Sequence, residues 1–154
     1  MMSPLFKKLN FKDQDAILVM DAPDSFRPEM DGIAELAAVH EDAEGLKGLQ
    51  FAMAFVTKKV RVDELAPLLD AALEGDAMLW LCYPKGSSKK YTCDFNRDNG
   101  WNVVGEAGWE GVRMVAIDAD WSALRFRRVE YIKKMTRSKS FAMTKAGKSK
   151  TSGK

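Results

Sequence analysis

Four short stretches of this chain carry residue types suited to holding a ligand: Asp24-Ser25, Lys58, Lys85-Gly86-Ser87-Ser88 and Trp121. The third is the densest. In Pro84-Lys-Gly-Ser-Ser-Lys-Lys90, Gly86 frees the backbone, Ser87 and Ser88 offer hydroxyls, and Lys85 supplies a compact charge. Those are the ingredients of an anion cradle. A helix starting just beyond would add about 0.3–1 kcal/mol for a bound anion. The Gly-x-x-x-x-Gly-Lys-Ser/Thr spacing of a P-loop is absent. The bland alternative is a solvated basic turn. Trp121 follows Asp118 and Asp120 in a tight turn, where it covers a ligand, stacks on a base, or plugs the sheet edge.

The inventory for catalysis is thin. His40 is the single histidine, so no Ser-His-Asp set is legible. It has no cysteine nearby, and no metal site is expected. Asp94 and Asp98 stand four apart on an expected helix, where paired acids are usually solvated, and no catalytic residue is assigned. Cys82 lies in an apolar run and reads as a small buried hydrophobe. Cys93 follows the basic loop and is reactive only if that loop lowers its pKa, the lesser of its two readings.

These residues are positioned by a regular alternation of elements. Met78 to Tyr83 is an almost unbroken apolar run, as in strands buried on both faces of a parallel sheet. Asp15–Pro23, Leu36–His40 and Leu49–Val56 read as earlier strands. A short helix is expected over Asp24–Asp31, capped by Asp24 or Ser25. A longer one is expected over Val62–Glu74, with Leu65, Leu68, Leu69, Ala72 and Leu73 on one face and Gly75 closing it. Thr92 or Asp94 is expected to cap a helix reaching Glu106. Val112–Asp118 and Ala123–Val129 form a final antiparallel pair. Arg125 and Arg127 alternate with apolar residues there and read as a basic stripe on an edge strand.

The order β-α-β-β-α-β-α-β-β implies an α/β fold: an open, mostly parallel, Rossmann-like three-layer sheet ending in an antiparallel β-hairpin. In such sheets ligands sit beyond the carboxyl ends of the strands. The loops after Asp21, Val56, Tyr83 and Asp118 meet at that edge.

The 154 residues suit one domain, expected over 1–132. Eight of the 24 Lys and Arg residues fall in 133–154, which contains no Asp or Glu. The remaining 16 basic residues face 22 acidic ones, so an acidic body of net −6 carries a tail of +8. The tail has too few apolar residues to fold alone and is expected to be disordered. It offers a surface for nucleic acid, an acidic partner or anionic lipid. No apolar run approaches the roughly 20 residues of a membrane helix. No signal peptide is legible, and a cytoplasmic protein is expected.

Gly75-Asp-Ala-Met-Leu-Trp-Leu81 and Glu106-Ala-Gly-Trp-Glu-Gly-Val-Arg-Met-Val-Ala-Ile117, followed by Leu124-Arg-Phe-Arg-Arg128, resemble the later half of a class I S-adenosylmethionine-dependent methyltransferase in truncated form. More closely, residues 9–130 resemble a small bacterial family of unknown function. The matching pieces are Ala22-Pro-Asp-Ser-Phe26, Tyr83-Pro-Lys-Gly-Ser-Ser88, Thr92-Cys-Asp-Phe-Asn-Arg-Asp98 and Asp118-Ala-Asp-Trp-Ser-Ala-Leu-Arg-Phe126.

One departure from the methyltransferase pattern is specific. The turn after the first strand, Met20-Asp-Ala-Pro-Asp-Ser-Phe26, contains no glycine, and Pro23 removes a backbone donor. Glu41 stands at the spacing of a ribose-holding acid. The main reading is therefore a domain binding a small molecule or anion, degenerate relative to methyltransferases and requiring no enzymatic activity. The alternatives are a diverged S-adenosylmethionine-dependent methyltransferase and an interaction module acting through the basic tail. The cofactor is left unnamed.

Overall fold

The computed structural model describes residues 3–95 and 100–132. The expected Asp98 and the basic tail of 133–154 lie outside the described residues. Six strands form one sheet: β1 (Ala16–Met20), β2 (Ala38–His40), β3 (Leu49–Phe55), β4 (Leu73–Pro84), β5 (Trp109–Ala116) and β6 (Trp121–Arg128). Their order in space is β2-β1-β3-β4-β6-β5. The first four are parallel, and β6 runs antiparallel to both β4 and β5. The chain leaves β1 for one side and returns to pair β3 on the other. That reversal makes the carboxyl ends of β1 and β3 the topological switch point, where open α/β sheets take ligands.

Successive side chains of a strand point to opposite faces, and β4 divides accordingly. Leu79, Leu81 and Tyr83 enter a core beneath α3 (Lys59–Ala72) and α4 (Asn102–Glu106). Trp80 and Cys82 enter the core covered by α1 (Pro4–Lys8), the 3-10 turn Asp24–Phe26 and α2 (Arg27–Ile33). The result is the expected three-layer α/β sandwich. The apolar run Met78–Tyr83 is thus central, with parallel β3 on one side and antiparallel β6 on the other.

Helix α3 buries Val62, Leu65, Ala66, Leu69 and Ala72, a stripe at three- and four-residue spacing. It starts earlier than the pattern suggested and ends before Gly75. Leu68 is exposed, and Leu73 already belongs to β4. Arg128 finishes α3: it donates to the carbonyls of Asp70 and Leu73, at 3.3 and 2.7 Å, and to Asp70 Oδ1 at 2.6 Å. Its guanidinium lies 4.3 Å from the centre of the Trp109 ring. A side chain on β6 thereby satisfies carbonyls of the last helical turn that have no intrahelical partner.

Three expectations are corrected. The helix before β5 spans only Asn102–Glu106, and Asp94 caps a different helix: its Oδ1 accepts the Lys59 amide N–H at 2.7 Å. Lys58, the residue before α3, supplies no side-chain cap of its own, which gives Asp94 that role. The basic strand β6 lies inside the sheet between β4 and β5, so Arg125 and Arg127 do not guard an edge. Helix α1 was not anticipated. Ser3 Oγ caps it at the Phe6 amide, Pro4 opens it, and Trp80 Nε1 bonds the Leu9 carbonyl at 3.0 Å to tie it to the sheet.

Candidate functional site at the carboxyl edge

The turn after β1 begins with Asp21 at φ +58°, a left-handed conformation for a residue with a Cβ. Arg61, on the first turn of α3, holds it there: Nη2 and Nε lie 3.0 and 3.1 Å from Asp21 Oδ2. The Asp21 hydrogen bond is the main cause that raises the Arg61 pKa. Pro23 leads into the 3-10 turn Asp24–Phe26, which buries Phe26 against Phe55 with ring centres 4.9 Å apart. Asp24 and Ser25 thus stand on a short rigid bend whose inner anchor is Phe26.

The end of β3 forms the second wall. The Val56 amide bonds the Cys82 carbonyl at 2.8 Å, extending the sheet by one residue before Thr57 and Lys58. The Asp94 amide bonds the Thr57 carbonyl at 3.2 Å, so the segment after Lys90 closes over this strand end.

The third wall comes from β6. Asp118 Oδ1 accepts the amides of Asp120 and Trp121 at 2.8 and 2.9 Å, a local carboxylate turn that feeds Trp121 into the sheet. Trp121 is only 3 % exposed. Its ring meets Phe55 edge-on at 5.1 Å and Tyr91 at 4.8 Å. These three rings make an aromatic floor.

A cavity of about 680 Å³ opens between the walls. It sits at the switch point of β1 and β3, lined by Asp21–Ser25, Phe55–Lys58, Val60, Arg61, Glu64, Lys90, Tyr91 and Trp121. The size suits a small-molecule ligand. Its charged lining is balanced, with Asp21, Asp24 and Glu64 against Lys58, Arg61 and Lys90. Arg61 pairs within the lining with both Asp21 and Glu64, at 3.0 and 3.5 Å.

Of the residues singled out by sequence, Asp24, Ser25, Lys58 and Trp121 line this cavity, whereas Lys85, Gly86, Ser87 and Ser88 do not. Ser88 has a structural task. Its hydroxyl donates to Asp120 Oδ1 at 2.8 Å and accepts the Lys90 and Tyr91 amides at 3.3 and 3.1 Å. The Lys85 amide bonds the Asp120 carbonyl at 2.7 Å. The loop therefore braces the β5–β6 turn and presents Lys90 and Tyr91 to the cavity. Tyr91, Phe55 and Arg61 were missed by the sequence reading. The signal for Phe55 was its position at the end of the apolar strand Leu49–Val56, and for Arg61 its place one turn beyond Lys58.

Two further expectations change. Glu41 follows β2 but pairs with Arg27 at 3.3 Å and does not line the cavity. The Cys93 thiol is pushed up in pKa, chiefly by partial burial, with Asp94 adding to it, so the basic loop does not activate it. Cys82 is fully buried, and burial pushes its thiol well up. Among the described residues, no helix is long and apolar enough to cross a membrane, and no three His, Cys, Asp or Glu residues cluster to hold a metal ion.

The fold of the chain is shared with solved structures. An S-adenosylmethionine-dependent methyltransferase from Aquifex aeolicus superposes with a TM-score of 0.55 at 10 % identity, over 80 % of this chain and 87 % of that one. The N-methyltransferase NodS from Bradyrhizobium japonicum gives 0.52 at 8 % identity, over 80 % and 91 %. PigF with SAH gives 0.51 at 10 % identity, and there the match spans only 51 % of the larger chain. The fold is class I methyltransferase-like. No family model and no curated protein sequence matches the chain. At identities near 10 %, the likeness is one of architecture.

Proposed function

We propose that this chain is a diverged S-adenosylmethionine-dependent methyltransferase whose adenosyl ligand occupies the cavity at the carboxyl ends of β1 and β3. The observation that carries this reading is the cavity itself: an aromatic floor under a charge-balanced rim, at the switch point of the sheet. S-Adenosylmethionine and S-adenosylhomocysteine join a flat base to an amino-acid head bearing both charges. The base suits the rings of Phe55, Tyr91 and Trp121. The head suits a rim of alternating carboxylates and cations.

The glycine-free turn is compatible with this ligand. Asp21 already adopts the left-handed φ that glycine usually supplies, so the backbone bends as the turn requires. What differs is the added carboxylate, neutralised by Arg61. S-Adenosylmethionine supplies the reactive methyl group. The residues of the chain bind, orient and exclude water, and proximity of the two reactants is the main source of rate in such a transfer.

This reading is favoured over a simple anion site by the balanced rim, and by the engagement of Ser88 with Asp120. Isothermal calorimetry with S-adenosylhomocysteine tests it, using Ser25→Trp as a variant that fills the cavity from an exposed position. Micromolar binding, lost in Ser25→Trp, is expected. Equal heats for both proteins, or none at millimolar ligand, overturn the assignment.

A further inference from the structure

Far from the cavity, strand pairing puts two arginines side by side. Arg113 of β5 is the direct cross-strand partner of Arg125 of β6. Like charges in that position destabilise a sheet. Arg127, two residues on, lies on the same side of β6. It is neutralised by Asp76, with Nε and Nη2 at 2.8 and 2.7 Å from the two carboxylate oxygens. Arg125 has no such partner. It is half-buried, and its buried Nε has no hydrogen-bond acceptor among the described residues. Arg113 is exposed.

Among the described residues, Asp76 is the carboxylate that acts on Arg125, and its two oxygens are already engaged by Arg127. Residues 133–154 contain no Asp or Glu. Glu110 is the cross-strand neighbour of Arg127, not of Arg125. A half-buried guanidinium facing a second one is costly without a counter-ion. Burial lowers the Arg125 pKa most, Arg127 and Arg113 lower it further, and Asp76, already paired with Arg127, offsets them only in part.

We infer that Arg113 and Arg125 form a binding site for a phosphate-class oxyanion, flanked by the Arg127–Asp76 pair. Guanidinium groups match tetrahedral oxyanions with paired N–H donors. One oxyanion between the two side chains relieves their repulsion and gives Arg125 the acceptor it lacks. The oxyanion is either free phosphate or the phosphodiester of a nucleic acid strand, whose binding would be reinforced by the +8 charge of 133–154. The site is independent of the adenosyl cavity and stands whether or not that cavity binds its ligand.

The test is residue-specific. Arginine Nε–Hε resonances of the full chain are followed during titration with inorganic phosphate, against sodium chloride at matched ionic strength. Saturable movement of the Arg113 and Arg125 signals with phosphate alone is expected, with affinity about tenfold weaker in Arg113→Gln, the loss of roughly one charge-assisted hydrogen bond. Arg113 is exposed, so this variant keeps the fold, and thermal melting verifies it. A single-stranded oligonucleotide that moves the same signals more tightly than phosphate identifies the phosphodiester as the natural form. Oligonucleotide no tighter than phosphate identifies the free anion. Identical responses to phosphate and chloride, or unchanged phosphate affinity in Arg113→Gln, overturn the proposal.

Discussion

Arg61 ties helix α3 to the first residue of the turn after β1 through a 3.0 Å contact between its Nη2 and Asp21 Oδ2. The pair spans the cavity mouth from β1 to the helix after β3, so it links both sides of the switch point. It also holds Asp21 in a conformation that side chains with a Cβ rarely adopt. Both partners are more than a third exposed, which limits the ion pair to about 0–1 kcal/mol.

The two effects at Asp21 separate by substitution. Asp21→Gly loses the ion pair but gains the residue best suited to φ +58°, so its stability should stay within about 1 kcal/mol of the parent. Asp21→Ala loses the pair and keeps the strain, and should fall about 1–2 kcal/mol below Asp21→Gly. Urea unfolding of the two variants measures this. Equal stabilities would contradict a left-handed Asp21.

Arg128 is expected to be irreplaceable by lysine. It serves Asp70 Oδ1, the carbonyls of Asp70, Leu73 and Gly75, and the Trp109 ring with one planar group. A lysine ammonium cannot reach these acceptors together. Arg128→Lys should cost about 1.5–3 kcal/mol in chemical unfolding, the scale of hydrogen bonds to a charged group. A loss below a few tenths would mean the carbonyls of α3 find water instead.

Acid sensitivity should trace in part to Asp76. Hydrogen bonds from Arg127 hold its carboxyl below the ordinary range, outweighing the opposing effect of burial. A carboxyl depressed in the folded state stabilises the fold fully above its unfolded pKa of about 3.9. That stability fades as pH falls from there through the lower, folded value. Arg127→Gln should remove the increment, so the gap between parent and variant is largest at neutral pH and narrows as pH falls through the folded-state value. A pH-independent gap between them would contradict the linkage.

In the core, Leu79→Ala should cost about 2–5 kcal/mol, since Leu79 is 1 % exposed at the centre of the sheet. Thermal or urea unfolding monitored by circular dichroism gives the value. A loss near zero would be incompatible with β4 as a central strand.

Much of this architecture was legible because buried parallel strands leave a plain mark. Phe51–Phe55 and Met78–Tyr83 are apolar on both faces, and the periodic stripe of α3 sits between them. The position of β6 inside the sheet was not legible, since hairpin spacing gives pairing but not which strand meets β4. The site was half legible. Asp24, Ser25, Lys58 and Trp121 follow from strand ends. Tyr91 reaches the cavity only because Ser88 folds the Lys85–Tyr91 loop back onto Asp120, a tertiary bond with no local sequence signature. The same bond explains why the loop richest in anion-binding residue types acts as a brace.

The central claim is that the switch-point cavity takes an adenosyl ligand. Titration of the full chain with S-adenosylhomocysteine, followed by backbone amide and indole N–H resonances, tests it most directly. Saturable shifts at Asp21, Ser25, Thr57 and the Trp121 indole, at micromolar ligand, are the predicted result. Unmoved signals at those four residues in millimolar ligand would contradict it.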